Sequence, residues 1–167
     1  MTGIIIAGGK SSRMGKDKAV LNSSVARIHQ HLTDIGCSTI IIMCGTEDRM
    51  EMFEGNCVPD SKDNLAQSLI EIIENIDDEI QLVPCDAYLV DAGFLSNISG
   101  VPIDDMGSRQ PLLARLEKGF VPKYSNKISE VFSEVGSCEG GLKARNCNTP
   151  EEFKEIQSLL QQVDQSL

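Results

Sequence analysis

Ile4-Ile5-Ile6-Ala7-Gly8-Gly9-Lys10-Ser11-Ser12-Arg13-Met14-Gly15-Lys16-Asp17-Lys18 runs an apolar strand straight into a loop rich in glycine and cations. Glycines let backbone N–H groups approach phosphate oxygens with no Cβ in the way. Lys10, Arg13, Lys16 and Lys18 supply charge that offsets a triphosphate. The loop therefore suits a nucleotide triphosphate. Its spacing, Gly8-Gly9-x5-Gly15, fits neither G-x-G-x-x-G nor G-x-x-x-x-G-K-[ST].

Outward from this loop, short β-branched runs alternate with longer helical patterns. That alternation predicts an α/β fold: a Rossmann-like, doubly wound, mostly parallel sheet with helices on both faces. Residues 3 to 6 form the first strand. Val25, Ile28, Leu32 and Ile35 then recur at helical spacing behind Ser23 and Ser24 as caps, with Gly36 as terminator. Residues 38 to 44 read as a fully buried parallel strand. A short helix at 47 to 53 precedes a third strand at 56 to 59, whose end carries Asp60. Leu65, Leu69, Ile72, Ile73 and Ile76 mark a helix, and residues 80 to 84 a strand ending in Cys85-Asp86. In open α/β sheets ligands sit beyond the carboxyl ends of the strands, so the glycine loop, Asp60 and Asp86 are expected to face one crevice.

Further on, Phe94, Leu95 and Ile98 suggest a short helix, followed by a loop rich in Gly, Pro and Asp. Residues 110 to 116 read as a strand, 123 to 135 as a helix, and 142 to 147 as a last short strand. Thr149-Pro150-Glu151-Glu152 opens the final helix, with Thr149 as N-cap, Pro150 at the first helical position and Glu152 completing a capping box. Its buried stripe is expected to be Phe153, Ile156, Leu160 and Val163.

The 167 residues, 41% hydrophobic and 24% charged, fit one globular domain over the whole chain. No apolar run approaches the roughly 18 residues of a membrane span, and the expected location is the cytoplasm. The six cysteines include no C-x-x-C pair, so they read as reduced residues in or near the core. His29 and His31 are expected to be solvent-exposed. A formal net charge of −10 argues against a nucleic-acid partner, while the local cations at 10 to 18 make a well for a small phosphorylated ligand.

The opening stretch resembles the A-G-G-x-S-x-R-M-G-x-D-K signature of the molybdenum cofactor guanylyltransferases of the sugar-nucleotidyltransferase-like superfamily. Ile6 stands where that family usually has Leu. Pro84-Cys85-Asp86 is similar to the family's P-C-D element, whose aspartate binds the catalytic Mg²⁺. Asn146-Cys147-Asn148-Thr149-Pro150-Glu151-Glu152 resembles its N-x-N-T-P-E-[ED] element. In that last stretch capping alone accounts for Thr149, Pro150 and Glu152, and an Asx turn could account for Asn148. Asp60 in Val58-Pro59-Asp60 matches a family aspartate that helps hold the nucleotide, although a strand-end aspartate is common. Arg109-Gln110-Pro111-Leu112-Leu113-Ala114 resembles the Q-P-L-x-A segment near the acceptor.

The resemblance implies an Mg²⁺-dependent transfer of GMP from GTP to molybdenum-loaded molybdopterin, with release of pyrophosphate. It assigns Arg13, Lys18 and Asp86 to catalysis and Asp86 to the metal. Ile6, Ala7, Gly8, Gly9, Lys18, Asp60 and Asn148 fall to nucleotide binding. Ala7-Gly8-Gly9 with Pro84-Cys85-Asp86 looks like the guanine-selecting pair, since related cytidylyltransferases carry Ala-Ala-Gly in the loop. A partner protein that delivers the cofactor is a further implication. Three departures stand out: Met43-Cys44-Gly45 lacks an asparagine, Asp63-Asn64-Leu65-Ala66-Gln67 lacks the usual Gly and Pro, and Tyr88 replaces a proline. The stretch between Asp86 and Gln110 is also short for the family. Two alternatives follow: a guanylyltransferase for another phosphorylated acceptor such as adenosylcobinamide phosphate, and a non-catalytic nucleotide- or cofactor-binding descendant.

Overall fold

Thr2–Ile6 forms β1, and all five of its residues are buried because the strand is covered on both sides. This computed structural model describes residues 1–8, 18–147 and 150–166, with the side chains of 18–22, 150, 153, 160 and 163–166 outside the description. After β1 come α1 (Lys18–Asp34), β2 (Thr39–Gly45), a 3-10 turn at Glu47–Met52, β3 (Asn56–Pro59), α2 (Leu65–Glu74) and β4 (Ile80–Pro84). The strands stand in the order β3-β2-β1-β4, all parallel. A later strand, Arg115–Leu116, adds an antiparallel edge beside β4. The α/β doubly wound reading of the sequence holds.

Alternation along the strands sends successive side chains to opposite faces, and two cores result. Ile5, Ile42 and Val83 pack under Val25, Ile28 and Leu32 of α1 on one face. Ile4, Ile6, Met43 and Leu82 pack under Leu69, Ile70 and Ile73 of α2 on the other. Asn64 caps α2, its side-chain oxygen accepting from the N–H groups of Ala66 at 2.8 Å and Gln67 at 3.3 Å. The helix start thus survives without the family's usual Gly and Pro.

Several expectations need correction. Ser23 and Ser24 are not caps: α1 begins at Lys18, since Ala19, Val20 and Leu21 extend the helix ahead of them. β2 is only half sealed, with Thr39 exposed and burial complete from Ile42 to Cys44. His29 and His31 are half-buried on α1 rather than solvent-exposed. The loop expected after α3 (Ala92–Ser96) contains β5 (Val101–Asp104), which Pro102 disguised as a non-strand. The strand expected at 110 to 116 is a 3-10 turn, Pro111–Leu113, followed by the two-residue β6 (Arg115–Leu116). Proline has no N–H for a ladder, so strand pairing waits until it is passed.

The helix expected at 123 to 135 shrinks to one turn, α4 (Ile128–Val131), because the Lys123 N–H folds back onto the Val131 carbonyl. The last strand, β7 (Ser137–Gly141), lies before the expected 142–147 and pairs in parallel with β5. Its Ser-Cys-Glu-Gly-Gly sequence has no strand propensity, so tertiary pairing alone makes it a strand. α5 (Pro150–Ser166) closes the described chain, beginning at Pro150 as expected and burying Ile156. The Thr149 cap and the Phe153, Leu160 and Val163 side chains lie outside the described residues. The six cysteines are all free, and three of them, Cys37, Cys44 and Cys147, are buried. Among the described residues no helix is long and apolar enough to cross a membrane.

Candidate functional site

Strand register decides what meets at the carboxyl edge of the sheet. Ile6 of β1 is level with Met43 of β2 and Pro84 of β4. Gly8, Gly45 and Asp86, each two residues further on, therefore stand at one height along that edge. The winding of the sheet reverses at β1, whose neighbours are β2 and β4, so the crevice of a doubly wound fold opens here. A cavity of about 550 Å³ occupies it, lined by Ile6, Gly8, Asp60, Pro84, Cys85 and Asp86. Gln110, Pro111, Leu112, Leu113, Ile128 and Asn146 line it as well, with Asp63 and Leu65 from the start of α2.

Four of the candidate residues, Ile6, Gly8, Asp60 and Asp86, thus line one cavity. Ala7 lies just beneath it, fully buried. Its N–H donates to the Met43 carbonyl at 2.9 Å, and its carbonyl accepts from the Arg49 Nη2 at 2.7 Å. Gly9, Arg13 and Asn148 lie outside the described residues. Lys18 is the first residue of α1, and its side chain is not described.

Gly8 meets a second requirement besides phosphate. A Cβ on Gly8 would sit 2.7 Å from the Gly45 Cα, and Gly45 itself has φ +91° beside a register shift in β2. The two glycines let the ends of β1 and β2 touch. Met43-Cys44-Gly45, which lacks the family's asparagine, builds this contact instead.

Arg49 is the residue that sequence reasoning missed. It stands on the 3-10 turn after β2 and reaches back to the end of β1. Its one signal is that of a lone cation within Glu47-Asp48-Arg49-Met50-Glu51. Burial pushes the Asp60 carboxyl up from its ordinary range, and Arg49 opposes that shift. One Asp60 oxygen is buried with no partner among the described atoms, while its N–H donates to the Gly45 carbonyl at 2.8 Å.

The Asp86 turn is tied to its surroundings through the backbone. The Cys85 N–H donates to the Ile6 carbonyl at 2.9 Å, joining β4 to β1 past the end of their ladder. Among the described residues no group of three or more His, Cys, Asp or Glu could enclose a metal. The acids lining the cavity are Asp60, Asp63 and Asp86, all oxygen donors. That donor set fits a hard divalent ion whose remaining ligands are phosphate oxygens and water.

The sequence profile of the MobA-like NTP transferase domain matches residues 3–101. The chain belongs to this family. Membership makes the protein a transferase of the nucleotidyltransferase type. The matched span contains β1 to β4 with Asp60 and Asp86, while Gln110, the Pro111–Leu113 turn, Ile128 and Asn146 lie beyond it. No curated protein sequence matches this MobA-like NTP transferase.

Solved structures share its fold. A protein from Aquifex aeolicus VF5 superposes with a TM-score of 0.64 at 16% identity, over 89% of this chain and 93% of that one. The bifunctional IspDF of Campylobacter jejuni gives 0.61 at 13% identity, covering 93% of this chain and 53% of that one. The 4-diphosphocytidyl-2C-methyl-D-erythritol synthase of Anaerococcus prevotii gives 0.57 at 13% identity, covering 96% and 98%.

Proposed function

We propose that this MobA-like NTP transferase moves GMP from GTP to molybdenum-loaded molybdopterin, releasing pyrophosphate. The observation that carries the reading is the meeting of Gly8 at the end of β1 with Asp86 at the end of β4 on one cavity. Sequence adds Arg13 in the glycine-rich stretch and Lys18 at the start of α1, and the Pro84-Cys85-Asp86 element favours guanine over cytosine by resemblance.

The reaction is an in-line displacement. A phosphate oxygen of the acceptor attacks the α-phosphorus of GTP, the α–β bridging bond breaks, and pyrophosphate leaves with the electron pair. No covalent enzyme intermediate is required, so rate comes from alignment and from neutralising charge. The glycine loop and Arg13 hold the triphosphate tail, and Lys18 the phosphates near the reacting centre. Asp86 would hold Mg²⁺, which would supply charge neutralisation on the phosphate oxygens. Asp60 and Asn148 complete the nucleotide site. Leu112, Leu113 and Ile128 line the same cavity and offer the acceptor an apolar surface for a flat ring. The acidity of the chain as a whole disfavours nucleic acid as acceptor, and we place the reaction in the cytoplasm.

Pyrophosphate release tests the reading, with Mg²⁺, each nucleoside triphosphate and candidate acceptors in turn. Release with GTP and molybdenum-loaded molybdopterin, lost in Asp86→Ala, supports it. Release only with adenosylcobinamide phosphate or only with CTP overturns it, as does nucleotide binding without turnover on any acceptor.

A further inference from the structure

The turn that carries Asp86 is held from outside by one helix. The Ser24 hydroxyl donates to the Cys85 carbonyl at 2.5 Å. The Arg27 guanidinium donates through Nη2 to the Ala87 carbonyl at 2.9 Å and through Nη1 to the Val90 carbonyl at 2.6 Å. Within the turn the Pro84 carbonyl accepts from the Ala87 N–H at 3.1 Å, and the Asp86 carbonyl from the Tyr88 N–H at 3.0 Å. The carbonyls on both sides of Asp86 are therefore committed to α1. Ser24 is 5% exposed, so its hydroxyl has no solvent to compete for it.

Burial disfavours the Arg27 charge and the Asp91 carboxylate offsets only part of that, yet the guanidinium hydrogen bonds go to two neutral carbonyls, where an apolar residue would fill the same space at less desolvation cost. A guanidinium makes sense where the carbonyls must be placed rather than merely covered. α1 is also the direct continuation of the glycine-rich loop, which ends where the helix begins at Lys18. α1 thus follows the glycine-rich stretch in sequence and touches the Asp86 turn in space.

We propose that α1 is the brace of the site, with Ser24 and Arg27 as positioning residues that set the Asp86 carboxylate toward the metal-bound triphosphate. The inference rests on the reading of Asp86 as the metal ligand given above. Groups that orient a ligand residue are commonly worth 10 to 100-fold in metal affinity, and the brace belongs to that class.

The test is calorimetric titration of the full chain with GTP, without metal and with Mn²⁺, no acceptor being present. The readout is the gain in GTP affinity that Mn²⁺ brings. In Arg27→Met and Ser24→Ala the gain is expected to shrink about ten-fold, with metal-free GTP affinity unchanged. Arg27→Lys, which reaches one carbonyl at most, falls between. In an Asp86→Ala background, Arg27→Met should remove nothing further. A full Mn²⁺ gain in both Arg27→Met and Ser24→Ala, or equal losses with and without metal, overturns the brace. If Asp86→Ala itself keeps the gain, the reading of Asp86 fails and the inference with it. Should Arg27→Met not fold, Ser24→Ala, which deletes one hydroxyl, decides by the same criterion.

Discussion

Two aspartates share the crevice in different surroundings, and their substitutions should part accordingly. Asp86 is proposed to act through charge on the reacting phosphates, so Asp86→Ala is expected to lower kcat about 10²-fold or more while leaving the fold intact. Pyrophosphate release and thermal melting measure the two halves of that statement. Asp60 is instead a carboxyl raised by burial. A raised carboxyl binds its proton more tightly in the folded state, so its contribution is favourable at low pH and is lost as pH rises through the folded value. Asp60→Asn should therefore raise the melting temperature at pH 7.5, and the gain should vanish below about pH 4, where both states hold the proton. An equal gain at both pH values would show that the charge is not the cause. Arg49 is the residue that keeps the Asp60 cost in check, and no motif announced it, because it acts on a carbonyl and a carboxyl just past the ends of β1 and β3.

At the scale of elements, legibility followed local cause. β3 and β4 fall on the expected residues, and the end of α1 at Gly36 was readable too, because patterning and breakers are sequence properties. Ile6, Gly8, Asp60 and Asp86 meet for the same reason: strand ends in a parallel sheet must lie on one edge. Beyond Asp86 the local signals mislead. β7 has no propensity of its own, β5 contains Pro102, and the apolar residues of 123 to 135 reach one core cluster from a single helical turn and the irregular chain after it. Phe120, for example, stacks on Phe132 at a ring distance of 5.9 Å, a pairing across a loop that no periodicity encodes. Two element-level predictions follow from the described contacts. Asn64→Ala removes the cap of α2 and should cost about 1 kcal/mol in urea unfolding. Gly45→Ala forces a side chain into φ +91° against Gly8 and should cost more, at least about 1 kcal/mol and up to about 3, because backbone on both sides leaves nothing soft to yield.

For the whole molecule, the titrating groups set a stability plateau. Burial works against the charged form of Asp104, but the Ser108 N–H, the Gln110 amide and the Met106 N–H outweigh it and hold the carboxyl below its usual range. Burial likewise opposes ionised Asp91, yet Lys143 at 2.6 Å and the Phe94 N–H at 2.8 Å hold it low. Lowered carboxyls contribute stability that is present above their unfolded value and lost as pH falls through the folded one. On the alkaline side the cause is different. Burial pushes the Cys37, Cys44 and Cys57 thiols up. Their contribution is full below the unfolded thiol value of about 8.5 and is lost as pH rises toward the folded values. A net charge of −10 adds self-repulsion in the same direction. Raised Asp60 runs against the acid limb and should soften it. The melting temperature is thus expected to be flat between about pH 5 and 8, to fall below about 4, and to fall again above about 8.5. Calorimetric scans under reducing conditions check the two limbs separately: Cys44→Ala should weaken the alkaline fall alone, and Asp104→Asn the acid fall alone, whatever each does to the height of the plateau.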